Sequence, residues 1–125
     1  MISIEEFKKI EMKIGEIIEA SKMEGSIKLL VLKVDFGLKP QSGSPDLPKA
    51  DLGEERDIRQ ILSGISEYFE NPEELIGRQV VFVTNLAPRE MMGKVSDGMI
   101  LATSGDFGLA LLSPTMKVPN GSLLK

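Results

Sequence analysis

The stretch KLLVLKVDFG, residues 28–37, sorts its side chains by alternate positions. Leu30, Leu32, Val34 and Phe36 share one side of an extended chain, and Leu29, Val31, Lys33 and Asp35 share the other. A period of two over this length predicts a β-strand with one face in a core. Upstream, Met12, Ile14, Ile18 and Ala20 recur at even spacing, with Gly15 as the expected bulge point. Gly25 and Ser26 separate the two runs, which therefore predict a hairpin. DIRQILSGI (57–65) predicts a third strand and VVFVTNL (80–86) a fully apolar, central one. GMILAT (98–103) and GLALLSP (108–114) predict two more around the turn SGDFG, and Asn120-Gly121 predicts a last turn.

Two short helices interrupt this pattern. Ser3 and Glu6 make a capping box at the head of a helix over about Ile4–Ile10. Asn71 as N-cap, Pro72 at the first position, Glu74 at the third and Gly77 after the end predict another. Between Leu38 and Arg56 the periodicity vanishes and three of the seven prolines cluster, which predicts an insertion loop. Short strands with one small helix before the fourth fit an all-β, five-stranded OB-fold barrel, spanning about Met12–Thr103 with terminal extensions outside it.

The chain has 125 residues, enough for one domain with one core. No apolar run is long enough to span a bilayer and the charged N-terminus does not resemble a signal peptide, so a cytoplasmic location is expected. Cysteine and histidine are both absent. Thiolate metal sites and Cys-His or Ser-His nucleophiles are thereby excluded, and neither a metal, a cofactor nor a catalytic site is expected. The net charge of −4 argues against a polyanionic partner unless cations are gathered locally. One place gathers them: NLAPREMMGKVSDGMIL (85–101) joins two apolar runs with Arg89, Lys94 and a pair of methionines.

Five segments in order carry a resemblance: ISIEEFKKIEMKIGEII, KLLVLKVDFG, RQILSGISEYF, NPEELIGRQVVFVTNLAP and MGKVSDGMILAT. Together they resemble the tRNA-binding domain family. That family includes the C-terminal domain of bacterial methionyl-tRNA synthetases, free-standing tRNA-binding proteins and a secretion chaperone. The resemblance covers about Ile2 to Lys125, with 38–56 as the main insertion. It implies an OB-fold that pairs into a homodimer and holds tRNA by shape and backbone contacts, alone or beside a synthetase catalytic chain. The alternative it implies is a peptide-binding chaperone; Ser-x-Gly-Met at 96–99 is typical of the tRNA-binding branch.

Position by position, Asn85, Arg89, Met92, Ser96 and Met99 fall on the family's motif, and Lys33 and Ser63 on the matching strand positions. With Lys94 they form the expected tRNA-binding set. Arg89 and Lys94 suit phosphates as charge-assisted donors. Asn85 and Ser96 offer neutral hydrogen bonds, and Met92 a polarisable apolar surface. Plainer readings stand beside these: Met99, alternating with Leu101, reads as core; Asn85 and Ser96 read as turn residues; Lys33 reads as a cover for its strand. Glu90 and Asp97 stand where relatives often have a cation and a glutamine, and both count against local positive potential.

Overall fold

The computed structural model describes residues 1–39 and 55–125; the expected loop Leu38–Arg56 falls almost wholly outside them. A helical turn α1 (Ile4–Phe7) precedes β1 (Met12–Lys22), β2 (Leu30–Leu38) and β3 (Arg56–Ser63). Two 3-10 turns, Ser66–Tyr68 and Pro72–Leu75, lead to β4 (Gln79–Val83). Then come β5 (Arg89–Met91), β6 (Lys94–Ser96), β7 (Met99–Ile100), β8 (Ala102–Gly105) and β9 (Gly108–Leu111). The main sheet is antiparallel in the order β3-β2-β1-β4-β7.

β1 makes this sheet curl. Its first half pairs with β4 and its second half with β2, so one strand serves both walls. The seam between β3 and the chain before β7 is drawn together by Asp97 N–H donating to the Gln60 carbonyl at 2.9 Å. Beside it the Leu62 N–H donates to Ser96 Oγ at 3.0 Å. This is the OB-type barrel that the strand pattern predicts.

Inside lie Ile17, Leu30, Leu32, Val34, Ile61, Val80 and Phe82, none with any exposed surface. Removing each from water contributes about 1.5–3 kcal/mol. Phe36 meets Phe82 edge-on, with centroids 5.4 Å apart. The alternation in β2 therefore holds as expected. In β1 it does not: Ile17 rather than Ile18 faces inward, and the bulge lies between Ile17 and Glu19 rather than at Gly15, so that Ile17 before it and Ala20 after it both face the core. Gly15 has another cause. A Cβ there would collide with Val34 and come within 2.7 Å of the Phe36 ring, so only glycine lets these two strands pack.

Three further expectations need correction. The segment after Asn71 is a single 3-10 turn, and Asn71 makes no side-chain cap. Gly77, at φ +92°, reverses the chain at once, and its N–H donates to the Ile17 carbonyl at 2.7 Å, which leaves no room for an α-turn. Leu75 of that turn nonetheless plugs the barrel completely buried. The expected strand over 98–103 is two strands, because Leu101 bonds back to Val81 and the chain then departs into the β8–β9 hairpin. Finally, the C-terminal segment is part of the barrel wall. Ile14 exchanges hydrogen bonds with it (Gly121 N–H to the Ile14 carbonyl, 2.7 Å; Ile14 N–H to the Ser122 carbonyl, 2.9 Å), and Leu124 N–H reaches the Met12 carbonyl. Gly121 and Gly37, both at positive φ, allow this approach: a Cβ on either would strike backbone of the other segment.

Candidate functional site

The β4-to-β7 crossover is a second hairpin laid against the edge of β3. Met91 pairs with Lys94, leaving Met92 and Gly93 as a two-residue turn with φ of +50° and +82°. Positive φ at both positions is the type I′ geometry, where asparagine, aspartate and glycine are favoured. Methionine there costs roughly 1 kcal/mol or more of backbone strain. The left-handed Met92 is a local feature that apolar patterning does not announce.

One guanidinium holds both ends of the crossover. Arg59 Nη1 donates to the Thr84 carbonyl at 2.6 Å, where the crossover leaves β4. Its Nε lies 3.9 Å from Asp97 Oδ2, where the crossover returns. Nε and Nη2 also make a two-pronged pair with Asp57 at 3.0 and 3.1 Å, and the guanidinium carbon sits 5.3 Å from the Phe36 ring centre. Burial works against the charge, but the hydrogen bond and charge of Asp57, then Asp97 and Glu11, outweigh it and hold the Arg59 pKa above its ordinary value. The hairpin is fixed further by Gln60 Nε2 donating to the Val95 carbonyl at 3.0 Å. Ser96, 4% exposed, accepts from Leu62 and donates to the Gly98 carbonyl at 3.2 Å.

Residues that face each other across an antiparallel pair point to the same side. Arg89, Met91, Lys94 and Ser96 thus share one face of the hairpin, and Glu90 and Val95 the other. The first face borders a groove of about 310 Å³ whose walls include Leu29, Leu62, Ser63, Leu86, Arg89 and Met99. Among the described residues no carboxylate lines it, and Arg89 is its one charged group. Lys33 lies in a separate depression with Arg59, Gln60, Val95 and Asp97, and its amine is 3.9 Å from Glu19. The two acidic side chains that weighed against an anionic partner are therefore turned elsewhere: Glu90 to the opposite face, Asp97 to Arg59.

Residues 47–123 match the family model described as a putative tRNA binding domain. The chain belongs to that family. This tRNA-binding domain is 48% identical over 123 residues to the methionine–tRNA ligase of Helicobacter pylori strain J99, spanning 98% of this chain and 16% of that protein. It thus covers about one sixth of the length of the curated relatives it matches. Among solved structures it resembles a MetRS-related protein from Pyrococcus horikoshii at 31% identity, with a TM-score of 0.76 over 100% of this chain and 98% of that one. It is also similar to the chaperone CsaA of Bacillus anthracis at 28% identity, TM-score 0.76, over 100% and 99% of the two chains.

Set on this tRNA-binding domain, the expected residues divide into three groups. Ser63, Arg89, Ser96 and Met99 come together in the groove, with Met92 and Lys94 exposed at the hairpin tip beside it. Met99 is 46% exposed; the core position of that strand is Ile100, because pairing of Met99 with Val83 sets the opposite parity. Lys33 stands apart. Asn85 faces the N-terminal segment: its Nδ2 donates to the Lys9 carbonyl at 2.6 Å and its Oδ1 accepts from the Glu11 N–H at 2.8 Å. Thr84 joins this junction, its hydroxyl donating to Glu11 Oε1 at 2.6 Å. That bond foremost holds the Glu11 carboxyl below its ordinary value; burial opposes it, and Lys13 assists. Sequence reasoning missed Arg59 and Leu62, and of the adjacent methionines it chose Met92 where Met91 lines the groove. The alternation of β3 puts Arg59 in phase with Ile61 and so offered a signal for the first.

Proposed function

We propose that this chain is a non-catalytic module that binds tRNA in the groove between the end of β3 and the β5–β6 hairpin, and serves a methionyl-tRNA synthetase. The observation that supports it most is the sorting of charge on the hairpin. Arg89 and Lys94 share the groove side while Glu90 is turned away, so a chain of net −4 still offers a locally positive edge. Arg89 and Lys94 hold phosphates; Ser63 donates or accepts at sugar; Met92 and Met99 supply apolar contact; Lys33, beside Glu19 and Asp97 in its own depression, lies outside this contact. Asn85 and Ser96 serve by holding the crossover in place. The β1–β2 turn and the β4–β7 crossover are the loops with which OB-folds commonly bind oligonucleotides.

The test is a gel shift with total tRNA across a salt series. The logarithm of affinity falls linearly with the logarithm of salt, and Arg89→Ala and Lys94→Ala each flatten the slope by about 0.7–0.9. Absence of binding at low salt would remove the proposal. The apolar walls of the groove and the likeness to a chaperone favour peptide binding as the second reading. Unfolded polypeptide that displaces tRNA from the groove would support it.

The same reading includes a homodimer. Ile4, Phe7 and Ile10 are 60, 39 and 43% exposed, and α1 buries none of its residues. With Met12, Leu123 and Leu124 they line a concavity of about 530 Å³, larger than the groove and sharing no lining residue with it. An apolar surface of this kind suits a subunit contact. Light scattering that finds only monomer at micromolar concentration would overturn this part. Among the described residues no helix is long and apolar enough to cross a membrane. The cytoplasm, where tRNA is charged, is the proposed place of action.

A further inference from the structure

We infer that the groove takes the flat face of one exposed RNA base, without discriminating which base, while the hairpin cations hold the phosphates on either side. This rests on the tRNA reading and adds the chemistry of the contact. The walls are chiefly aliphatic and thioether: Leu29, Leu62, Leu86, Met91 and Met99. A groove for phosphate alone has no use for so much apolar surface beside a cation. A groove for an apolar peptide has no use for Arg89 as its one charge. A nucleotide carries both an apolar ring face and an anionic link, and matches the pair.

The polar groups present say how far the base is read. The strongest discrimination of base edges comes from two-pronged contacts by amide side chains or by a cation set square to guanine, and a lone hydroxyl reads little. Among the described residues no amide and no carboxylate lines the groove. The Ser96 hydroxyl is engaged with Leu62 and Gly98, which leaves Ser63 and Arg89. Base-face contact is tolerant of sequence because every base has a π-face. Methionine substitutes here for the usual aromatic platform, its sulfur being polarisable and its chain adaptable.

The hairpin tip fits this use. Met92 occupies its strained left-handed position, and its Cε would lie 3.8 Å from a Cβ on Gly25 in the β1–β2 turn. The thioether thus reaches from the hairpin tip toward the β1–β2 turn, beside the groove rather than in its wall. Asparagine or glycine would relieve the strain but give up that apolar reach.

The experiment uses the full chain with methyl-labelled methionine, titrated with total tRNA and followed by methyl NMR. A base seated on the groove moves the Met91 and Met99 methyl signals upfield through its ring current. The Met91→Ala/Met99→Ala double variant then weakens tRNA binding by roughly tenfold or more with an unchanged salt slope. Arg89→Ala does the reverse, flattening the slope and leaving the upfield shifts of the remaining complex. Two outcomes overturn the inference. If tRNA binds with a normal salt slope while both methyl signals stay still and the double variant binds as well as the parent, the tRNA reading survives and the base contact fails. If tRNA does not bind at low salt, both fail, and methyl shifts caused by unfolded polypeptide instead would name the other occupant.

Discussion

Replacing Arg59 by methionine keeps an apolar stem over Phe36 and removes the fork that ties the crossover to the barrel. Three charge-assisted hydrogen bonds go: two to Asp57 at 3.0 and 3.1 Å, and one to the Thr84 carbonyl at 2.6 Å. Asp57 is left as a carboxylate with 16% of its side chain exposed, without its Arg59 partner. Removing one partner of a fully buried pair costs about 3–5 kcal/mol, and a hydrogen bond to a charged group about 1.5–3. Water reaches both groups here, so the expected loss is about 2–3 kcal/mol. Urea unfolding measures it: with a slope of about 1–3 kcal/mol per molar, the midpoint falls by roughly 1 M or more. A double-mutant cycle with Asp57→Asn separates the pair from the rest, and coupling above about 0.5 kcal/mol is expected. The hairpin then loses its anchor, so tRNA affinity falls while the salt slope, set by Arg89 and Lys94, stays. A loss below about 0.5 kcal/mol would refute the reasoning that Arg59 clamps this crossover, and strictly additive variants would refute its pairing with Asp57.

The seam gives a second prediction: Ser96→Ala leaves the buried Leu62 N–H without its acceptor and lowers stability by about 1–3 kcal/mol, read by urea or thermal melting. Gly121→Ala sets a Cβ against the Phe36 carbonyl at φ +90°, so the C-terminal segment detaches from β1; faster proteolysis of that segment together with a lowered urea midpoint is the sign to look for. The Glu11 carboxyl, held below its ordinary 4.5 chiefly by the Thr84 hydroxyl, contributes stability that is present above that value and lost as pH falls through the lowered one. Urea midpoints between neutral and acid pH decline less steeply in Thr84→Val than in the parent; parallel curves would contradict the assignment. The effect is small, because 38% of the Glu11 side chain meets solvent.

What could be read from the sequence were relations between near neighbours. The inward set of β2, the Ser3–Glu6 capping box, the reversal at Gly77 and the Asn120-Gly121 turn all depend on residues two to four apart, and each stands in the structure. The barrel followed from their order. Tertiary packing decided the rest, because the deciding partner lies far along the chain. Phe36 and Val34 pressing on Gly15 gave that glycine its role, and the bulge went to another residue. The Asn85 amide and the Ser96 hydroxyl face partners 76 and 34 residues away, which no local pattern reveals. Most consequential is the crossover itself. Comparison with the family's pattern counted Glu90 and Asp97 against an anionic partner, but a charge acts from where its side chain points. Hairpin pairing turns Glu90 to the far face and Arg59 draws Asp97 aside, so the field at the groove is set by strand parity rather than by the sum of charges along the chain.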